Sequence, residues 1–95
     1  MNPLILHLKD KYYWMVCTGE KTHEYREFKP YWISRIHLQK ELILVPGYSH
    51  DNCWNIYADI IKISVISFKD LDAFAKDEFK KSEYKEFFDI EFTKR

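Results

Sequence analysis

The chain has 95 residues, 15 basic and 15 acidic side chains, and no net charge. That length fits one hydrophobic core, so we predict a single domain over residues 1–95 and exclude mechanisms that need several domains. Zero net charge argues against a protein that holds nucleic acid mainly by neutralising phosphates. Basic residues are nevertheless concentrated early, because residues 1–40 contain seven Lys or Arg against four Asp or Glu.

Cysteine usage and hydropathy predict a cytoplasmic protein. Cys17 and Cys53 are isolated thiols without C-x-x-C spacing, which is typical of a reducing compartment. No run of about 18 apolar residues could cross a membrane, so we expect no membrane partner. Seven Phe, seven Tyr and three Trp allow a short chain to bury a large apolar area without disulfides.

The first twenty residues predict a strand followed by a short helix. Residues 4–8, Leu-Ile-Leu-His-Leu, form an apolar run suited to a buried strand. Asp10 can cap the helix that follows, and Gly19 supplies the left-handed residue that ends it.

Residues 22–27 predict a second strand that presents a charged pair. Because side chains alternate along a strand, Glu24 and Arg26 should project from one face and Tyr25 from the other, where core packing is favoured. A short helical turn over residues 30–35 should follow, since it begins with a proline.

The second half of the chain predicts more strand than helix. The predicted elements are, in order, a strand at residues 42–45, a long strand at 54–67, a helix at 71–79 and a closing strand at 87–92. A change of parity near Ile60–Ile61 indicates a β-bulge. Ser67 or Asp70 can cap the helix, and residues 76–86 should form its exposed face. Together the elements predict an α+β fold, a small mixed β-barrel with covering helices.

Residues 19–26, Gly-Glu-Lys-Thr-His-Glu-Tyr-Arg, resemble the G-x-K-x-x-E-x-R signature of the ASCH family. The resemblance covers nearly the whole chain and implies a PUA-like β-barrel with a cleft that binds RNA or a nucleotide-like molecule. Some relatives are described as nucleases, and one branch hydrolyses the acetyl amide of N4-acetylcytidine. That branch has a threonine nucleophile where this chain has Glu24, and a carboxylate does not readily perform the same acylation.

Three side chains of the signature carry the predicted chemistry. Glu24 and Arg26 can form a charge pair that offers a ligand both an acceptor and a forked donor. Lys21 adds a mobile donor suited to a phosphate clamp or a general base. The alternative is an ordinary ion pair that holds the barrel together beside a solvated lysine. Tyr25, Trp32 and Tyr48 are candidates for stacking on a base, with core packing favoured for Tyr25.

These observations favour a small module that binds RNA or a nucleotide-like molecule. Its expected ligand-binding residues are Lys21, Glu24, Arg26, Trp32 and Tyr48. The second hypothesis is an enzyme, either a ribonuclease or an N4-acetylcytidine-type amidohydrolase. In that case Lys21 and Glu24 would divide the acid and base roles as catalytic residues.

A third hypothesis is a protein-interaction or regulatory domain. Its mark would be an exposed apolar patch formed by Tyr84, Phe87 and Phe88. Neither a cofactor nor a metal is predicted, because the four histidines lack the spacing of a ligand set. His50 and Cys53 could bind a metal only if two further ligands converged on them.

Overall fold

The computed structural model describes residues 2–47 and 54–95. Within these ranges the chain contains both helices and strands, which confirms the predicted α+β class. The elements are β1 (Leu4–Leu8), α1 (Asp10–Cys17), β2 (His23–Glu27), α2 (Pro30–Ile36), β3 (Glu41–Pro46), β4 (Ile56–Ser67), a 3₁₀ helix (Phe68–Asp70), α3 (Ala73–Glu78) and β5 (Glu86–Lys94).

The strands form one sheet in the order β1-β3-β4-β5-β2, which curls into a half-barrel. β1 and β3 are parallel, whereas the other neighbouring pairs are antiparallel. β1 and β2 are therefore the two edges of the described sheet. The open side of the half-barrel lies between these edges, and this is the side on which the signature segment lies.

Alternation decides which face of each strand is buried. In β1 the leucines at 4, 6 and 8 are buried, whereas Ile5 and His7 are exposed. In β3 Leu42 and Leu44 are buried in the same way, and they are paired with β4. Period-two burial of this kind is typical of a sheet that packs one face against a core.

The long strand β4 contains the predicted irregularity. Its pairing with β5 shifts register between Ile60 and Lys62, which confirms the β-bulge expected near Ile60–Ile61. An extra residue bends a strand and increases its twist. The bend lets the first part of β4 pair with β3 while its whole later length pairs with β5.

The core lies between the concave face of the sheet and the helices. Its main cluster joins strand residues to α1 and α2, with Val16, Ile36 and Ile90 almost completely buried. A smaller cluster under α3 contains Tyr25 and Phe87. The predicted core position of Tyr25 is thereby confirmed, and this second cluster supports the strand that carries the signature.

Two predicted helix caps are wrong. Asp10 is the first residue of α1 rather than its cap, and Lys9 precedes the helix without a side-chain cap. α3 is capped by Asp72, which accepts a hydrogen bond of 2.8 Å from the Ala75 backbone N–H. Ser67 and Asp70 do not cap it because β4 and the 3₁₀ helix extend through those positions.

The predicted apolar patch is also wrong in its main members. Phe87 and Phe88 are buried, and Tyr84 alone of the three is exposed. Phe88 packs in the main cluster and Phe87 in the smaller cluster under α3, so both faces of this part of β5 are covered. Residues 76–86 form the exposed face of a helix only at their start, because α3 ends at Glu78.

No helix in the described ranges is long and apolar enough to span a bilayer.

Candidate functional site

The end of α1 determines where Lys21 lies. Gly19 has a φ of +85°, a left-handed conformation that glycine adopts without a steric cost, as the sequence predicted. The Lys21 backbone N–H then donates to the Met15 carbonyl over 3.0 Å. This turn reverses the chain and leads directly from the helix into β2.

β2 brings Glu24 and Arg26 together with Lys21. Glu24 Oε1 lies 3.5 Å from Lys21 Nζ and 3.3 Å from Arg26 Nη1, so one carboxylate contacts two cations. The side chains are 8%, 7% and 15% exposed for Lys21, Glu24 and Arg26 respectively. The prediction that Glu24 and Arg26 share a face is confirmed, and Lys21 is buried with them rather than solvated.

Two tyrosine rings enclose the ammonium group of Lys21. Its Nζ lies 5.4 Å from the ring centroid of Tyr12 and 5.3 Å from that of Tyr25. A cation at this distance from a ring is attracted by the negative face of the π system. These rings therefore compensate part of the hydration that Lys21 loses on burial.

Glu24 has one unsatisfied oxygen. Oε1 accepts a hydrogen bond of 3.0 Å from the Tyr25 backbone N–H in addition to its two cations. Oε2 is buried and has no hydrogen-bond partner among the described residues. Because buried polar atoms nearly always have a partner in native proteins, this oxygen is a candidate acceptor for an N–H group of a ligand.

Arg26 connects the two edges of the half-barrel. Its Nη2 donates to the His7 carbonyl of β1 over 3.1 Å, and its Nη1 donates to the Tyr25 carbonyl over 2.7 Å. Its guanidinium carbon also lies 5.4 Å from the ring centroid of Trp32. The side chain therefore spans the gap between β1 and β2 at one point.

A cavity of about 250 Å³, which we call the inner cavity, lies on one side of this bridge. Lys21, Glu24 and Arg26 all line it, together with Tyr12, Tyr25 and Glu78. Trp32 does not line it. Trp32 lines a second concavity on the other side of Arg26, which we call the outer groove and describe below. Tyr48 lies outside the described residues.

The tyrosines of the inner cavity are held as neutral phenols. Burial raises the pKa of Tyr12 to about 12, and the negative charge of Glu78 nearby acts in the same direction. Burial also raises the pKa of Tyr25, and the neighbouring charges of Asp89 and Asp72 act in the same direction. An unperturbed tyrosine is already neutral at pH 7, and these shifts keep both rings neutral well into the alkaline range.

Tyr12 and Glu78 are site residues that the sequence did not predict. Tyr12 is one of three consecutive aromatic residues in the first helix, and nothing in that run distinguishes a cavity residue from a core residue. Glu78 lies in a segment rich in Lys and Glu that is typical of a solvated helix face. Its approach to Tyr12 depends on how α3 packs, which no local pattern encodes.

The described residues contain no group of three or more His, Cys, Asp or Glu side chains arranged to hold a metal ion. His23 instead contacts Asp89, with 2.6 Å between Nδ1 and Oδ1, on the opposite side of β2 from Glu24. His50 and Cys53, the one pair considered as metal ligands, lie outside the described residues.

The chain matches no model of a known protein family and no curated protein. The ASCH resemblance of residues 19–26 therefore remains a prediction from the sequence.

Proposed function

We propose that this chain is a small binding module for RNA or a nucleotide-like molecule, with one base held in the inner cavity. The observation that carries the proposal is the convergence of Lys21, Glu24 and Arg26 on one cavity between tyrosine rings. The half-barrel is compatible with the PUA-like barrel that the ASCH resemblance implies, and we include that fold assignment in the proposal.

The polar groups of the cavity complement a nucleobase edge. A base presents N–H donors beside carbonyl or ring-nitrogen acceptors, and the cavity offers the reverse set. Glu24 Oε2 can accept from an amino or imino N–H, while Lys21 and Arg26 can donate to an oxygen or ring nitrogen. The two neighbouring cations also hold this carboxylate in a fixed orientation, which favours recognition by charge-assisted hydrogen bonds.

The size of the cavity favours a single base. At about 250 Å³ it lies just below the range of about 300–1,000 Å³ that is typical of pockets for drug-sized ligands. A polymer could therefore enter only by inserting one base, as in the recognition of unpaired nucleotides in single-stranded RNA.

Titration calorimetry with the four ribonucleosides, their monophosphates and short RNAs tests the proposal. We expect Lys21→Ala and Arg26→Ala to weaken binding by about tenfold or more, because each removes a charge-assisted hydrogen bond. Glu24→Gln should change which base binds best, since it replaces an acceptor-only group with one that also donates.

Lys29→Ala is the matched control for these variants. It removes a cation from the same stretch of chain, but Lys29 lies outside the inner cavity. Thermal unfolding of each variant separates loss of a ligand contact from loss of the fold. Binding that is unchanged in folded Lys21→Ala and Arg26→Ala proteins would contradict the proposed site.

The contact between Lys21 and Glu24 favours hydrolysis as a second candidate function. Their 3.5 Å separation and the free Oε2 would allow the lysine and the carboxylate to share proton transfer in cleavage of RNA or of an acetylated cytidine. Incubation of the protein with both substrates, followed by chromatography of the products, tests this. Turnover no greater than that of Glu24→Gln would exclude it.

A further inference from the structure

We propose that the outer groove binds the nucleotide next to the one in the inner cavity, so that the ligand is a single-stranded nucleic acid rather than a free nucleoside. This inference rests on the proposed function and deepens it. The groove has a volume of about 790 Å³ and borders Arg26, Tyr31, Trp32 and Arg35.

The two concavities adjoin along the open side of the half-barrel. Arg26 and His7 line both of them, and a hydrogen bond from Arg26 Nη2 to the His7 carbonyl joins these two shared residues. A strand with one base in the inner cavity would therefore cross this bridge and continue into the outer groove. Arg26 is correctly located to contact the phosphate at the crossing.

The charge of the outer groove favours a polyanion. Its lining includes two arginines and no aspartate or glutamate, although the chain as a whole has no net charge. Arg35 forms no ion pair with any described carboxylate, and its Nη1 donates only to the Tyr31 carbonyl and the Ser34 hydroxyl within that part of the chain. Within the described residues, no carboxylate neutralises its positive charge, whereas Glu24 contacts Arg26.

Flat surfaces in the same groove favour a nucleic acid over other polyanions. The guanidinium carbon of Arg35 lies 3.6 Å from the ring centroid of Tyr31, a stacked arrangement, and Tyr31 is 53% exposed. Tyr31 also meets Trp32 edge to face, with 4.8 Å between centroids. Unpaired bases stack on aromatic rings and on guanidinium planes, whereas acidic peptides make little use of such surfaces.

α2 holds these groups in place before any ligand binds. Tyr31 and Arg35 are four residues apart on this helix, and residues at that spacing lie on the same face. The Arg35 hydrogen bond to the Tyr31 carbonyl, at 2.8 Å, fixes the guanidinium over the ring. A stacking base would therefore meet a surface that is already ordered, which reduces the entropic cost of binding.

Fluorescence polarisation with end-labelled ribotrinucleotides and the matching nucleoside monophosphates tests the inference. We expect each preferred trinucleotide to bind more tightly than its monophosphate by about 5- to 100-fold, the range for one stacked base. Arg35→Ala and Tyr31→Ala should abolish that gain without changing monophosphate binding, while Tyr31→Phe should retain it. The deoxyribotrinucleotide distinguishes RNA from single-stranded DNA as the source of the ligand, and binding of either supports the inference.

Salt dependence and a distant cation provide the controls. Arg35→Ala should reduce the slope of log affinity against log salt by about 0.7, as expected for one lost contact with a single-strand phosphate. Lys81→Ala removes an exposed cation that lines neither concavity and should leave the slope unchanged.

The possible failures are distinguishable. If neither monophosphates nor oligonucleotides bind, the proposed function fails and this inference fails with it. If monophosphates bind but trinucleotides bind no more tightly, the inference alone is overturned. The same holds if Arg35→Ala and Lys81→Ala reduce trinucleotide affinity equally. Equal binding of a glutamate tripeptide would also overturn it, because the groove would then be a general anion surface.

Discussion

Glu24 is a buried carboxylate that contacts two cations, and this arrangement has a definite energetic consequence. Removal of one partner from a buried ion pair costs about 3–5 kcal/mol, because the remaining charge has lost both its hydration and its partner. We therefore expect Glu24→Ala to lower the free energy of unfolding by about that amount, since it leaves Lys21 buried without a carboxylate. Urea unfolding followed by circular dichroism measures this loss.

The double variant Lys21→Met with Glu24→Leu is the informative companion. It removes both charges together and replaces them with apolar groups. Its loss of unfolding free energy should therefore be smaller than the sum of the losses in the two corresponding single variants. Glu83→Ala, at an exposed position, serves as the surface control. Additive losses in the double variant would show that the two charges do not interact.

Tyr12 makes the free energy of unfolding depend on pH in the alkaline range. Its pKa rises from the ordinary value of 10.0 to about 12 in the folded protein, so the folded state binds the phenolic proton more tightly than the unfolded chain does. The resulting stabilisation, on the order of 2 kcal/mol, is complete below pH 10 and is lost as pH rises towards 12. Unfolding in urea across this range should show a steep decline that is shallower in Tyr12→Phe.

The matched control for Tyr12 is Tyr57→Phe, which alters an exposed tyrosine. It should leave the alkaline decline unchanged. A decline of the same steepness in Tyr12→Phe would mean that another group with a raised pKa, such as Tyr25, causes it.

At the scale of single residues, the sequence predicted the pairing of Glu24 with Arg26 because strand alternation is a local rule. It could not predict that His7 provides a carbonyl for Arg26, since that contact joins two edge strands through the curl of the sheet. The burial of Lys21 was equally inaccessible. It depends on Tyr12 of a preceding helix and on the packing of α3, not on the residues beside it.

Among the elements, the turn between α1 and β2 has the most direct effect on the site. Gly19→Ala should lower the free energy of unfolding by about 1–2 kcal/mol, because φ of +85° is unfavourable for a residue with a Cβ. No atom lies within 4 Å of a Cβ placed there, so the cost is conformational rather than a clash. Gly19→Asn should lower the free energy of unfolding by less than Gly19→Ala does, since asparagine tolerates the left-handed region.

Thermal unfolding of both Gly19 variants checks this order. Glu20→Ala is the neighbouring control, because Glu20 is exposed in the same turn. Equal stability of Gly19→Ala and the wild-type protein would mean that the helix end relaxes to another conformation.

Elements whose apolar residues recur at a regular spacing were predictable from the sequence. The bulge of β4 was predictable because the alternation of apolar residues changes parity there. Helix boundaries after β4 were not, because Ser67, Asp70 and Asp72 are all suitable caps and the sequence does not rank them. The central place of β5 was also hidden, since alternation in residues 87–92 is the same for an edge strand. Phe88 is buried in the main cluster and Phe87 in the cluster under α3, and these contacts with distant elements form only in the assembled fold.

For the molecule as a whole, the half-barrel leaves one face that the proposed function does not use. Leu38, Ile61 and Val65 are exposed around an apolar groove on the side of β4 and the α2–β3 connection. The sequence placed the exposed apolar patch at the other end of the chain. The difference arises because the bulge near Ile60 turns an isoleucine outward, and its neighbours in space come from distant parts of the sequence.

The sheet order also has a consequence for biogenesis. β2, which bears Glu24 and Arg26, leaves the ribosome early, yet in the described sheet it pairs with β5 alone, at Glu86–Lys94. A nascent polypeptide must therefore carry Glu24 and Arg26 on an unpaired β2 until β5 emerges from the exit tunnel. A translation product that stops before Glu86 would contain residues 19–26 but no partner for β2, so under the proposed function binding would appear only once β5 has been synthesised.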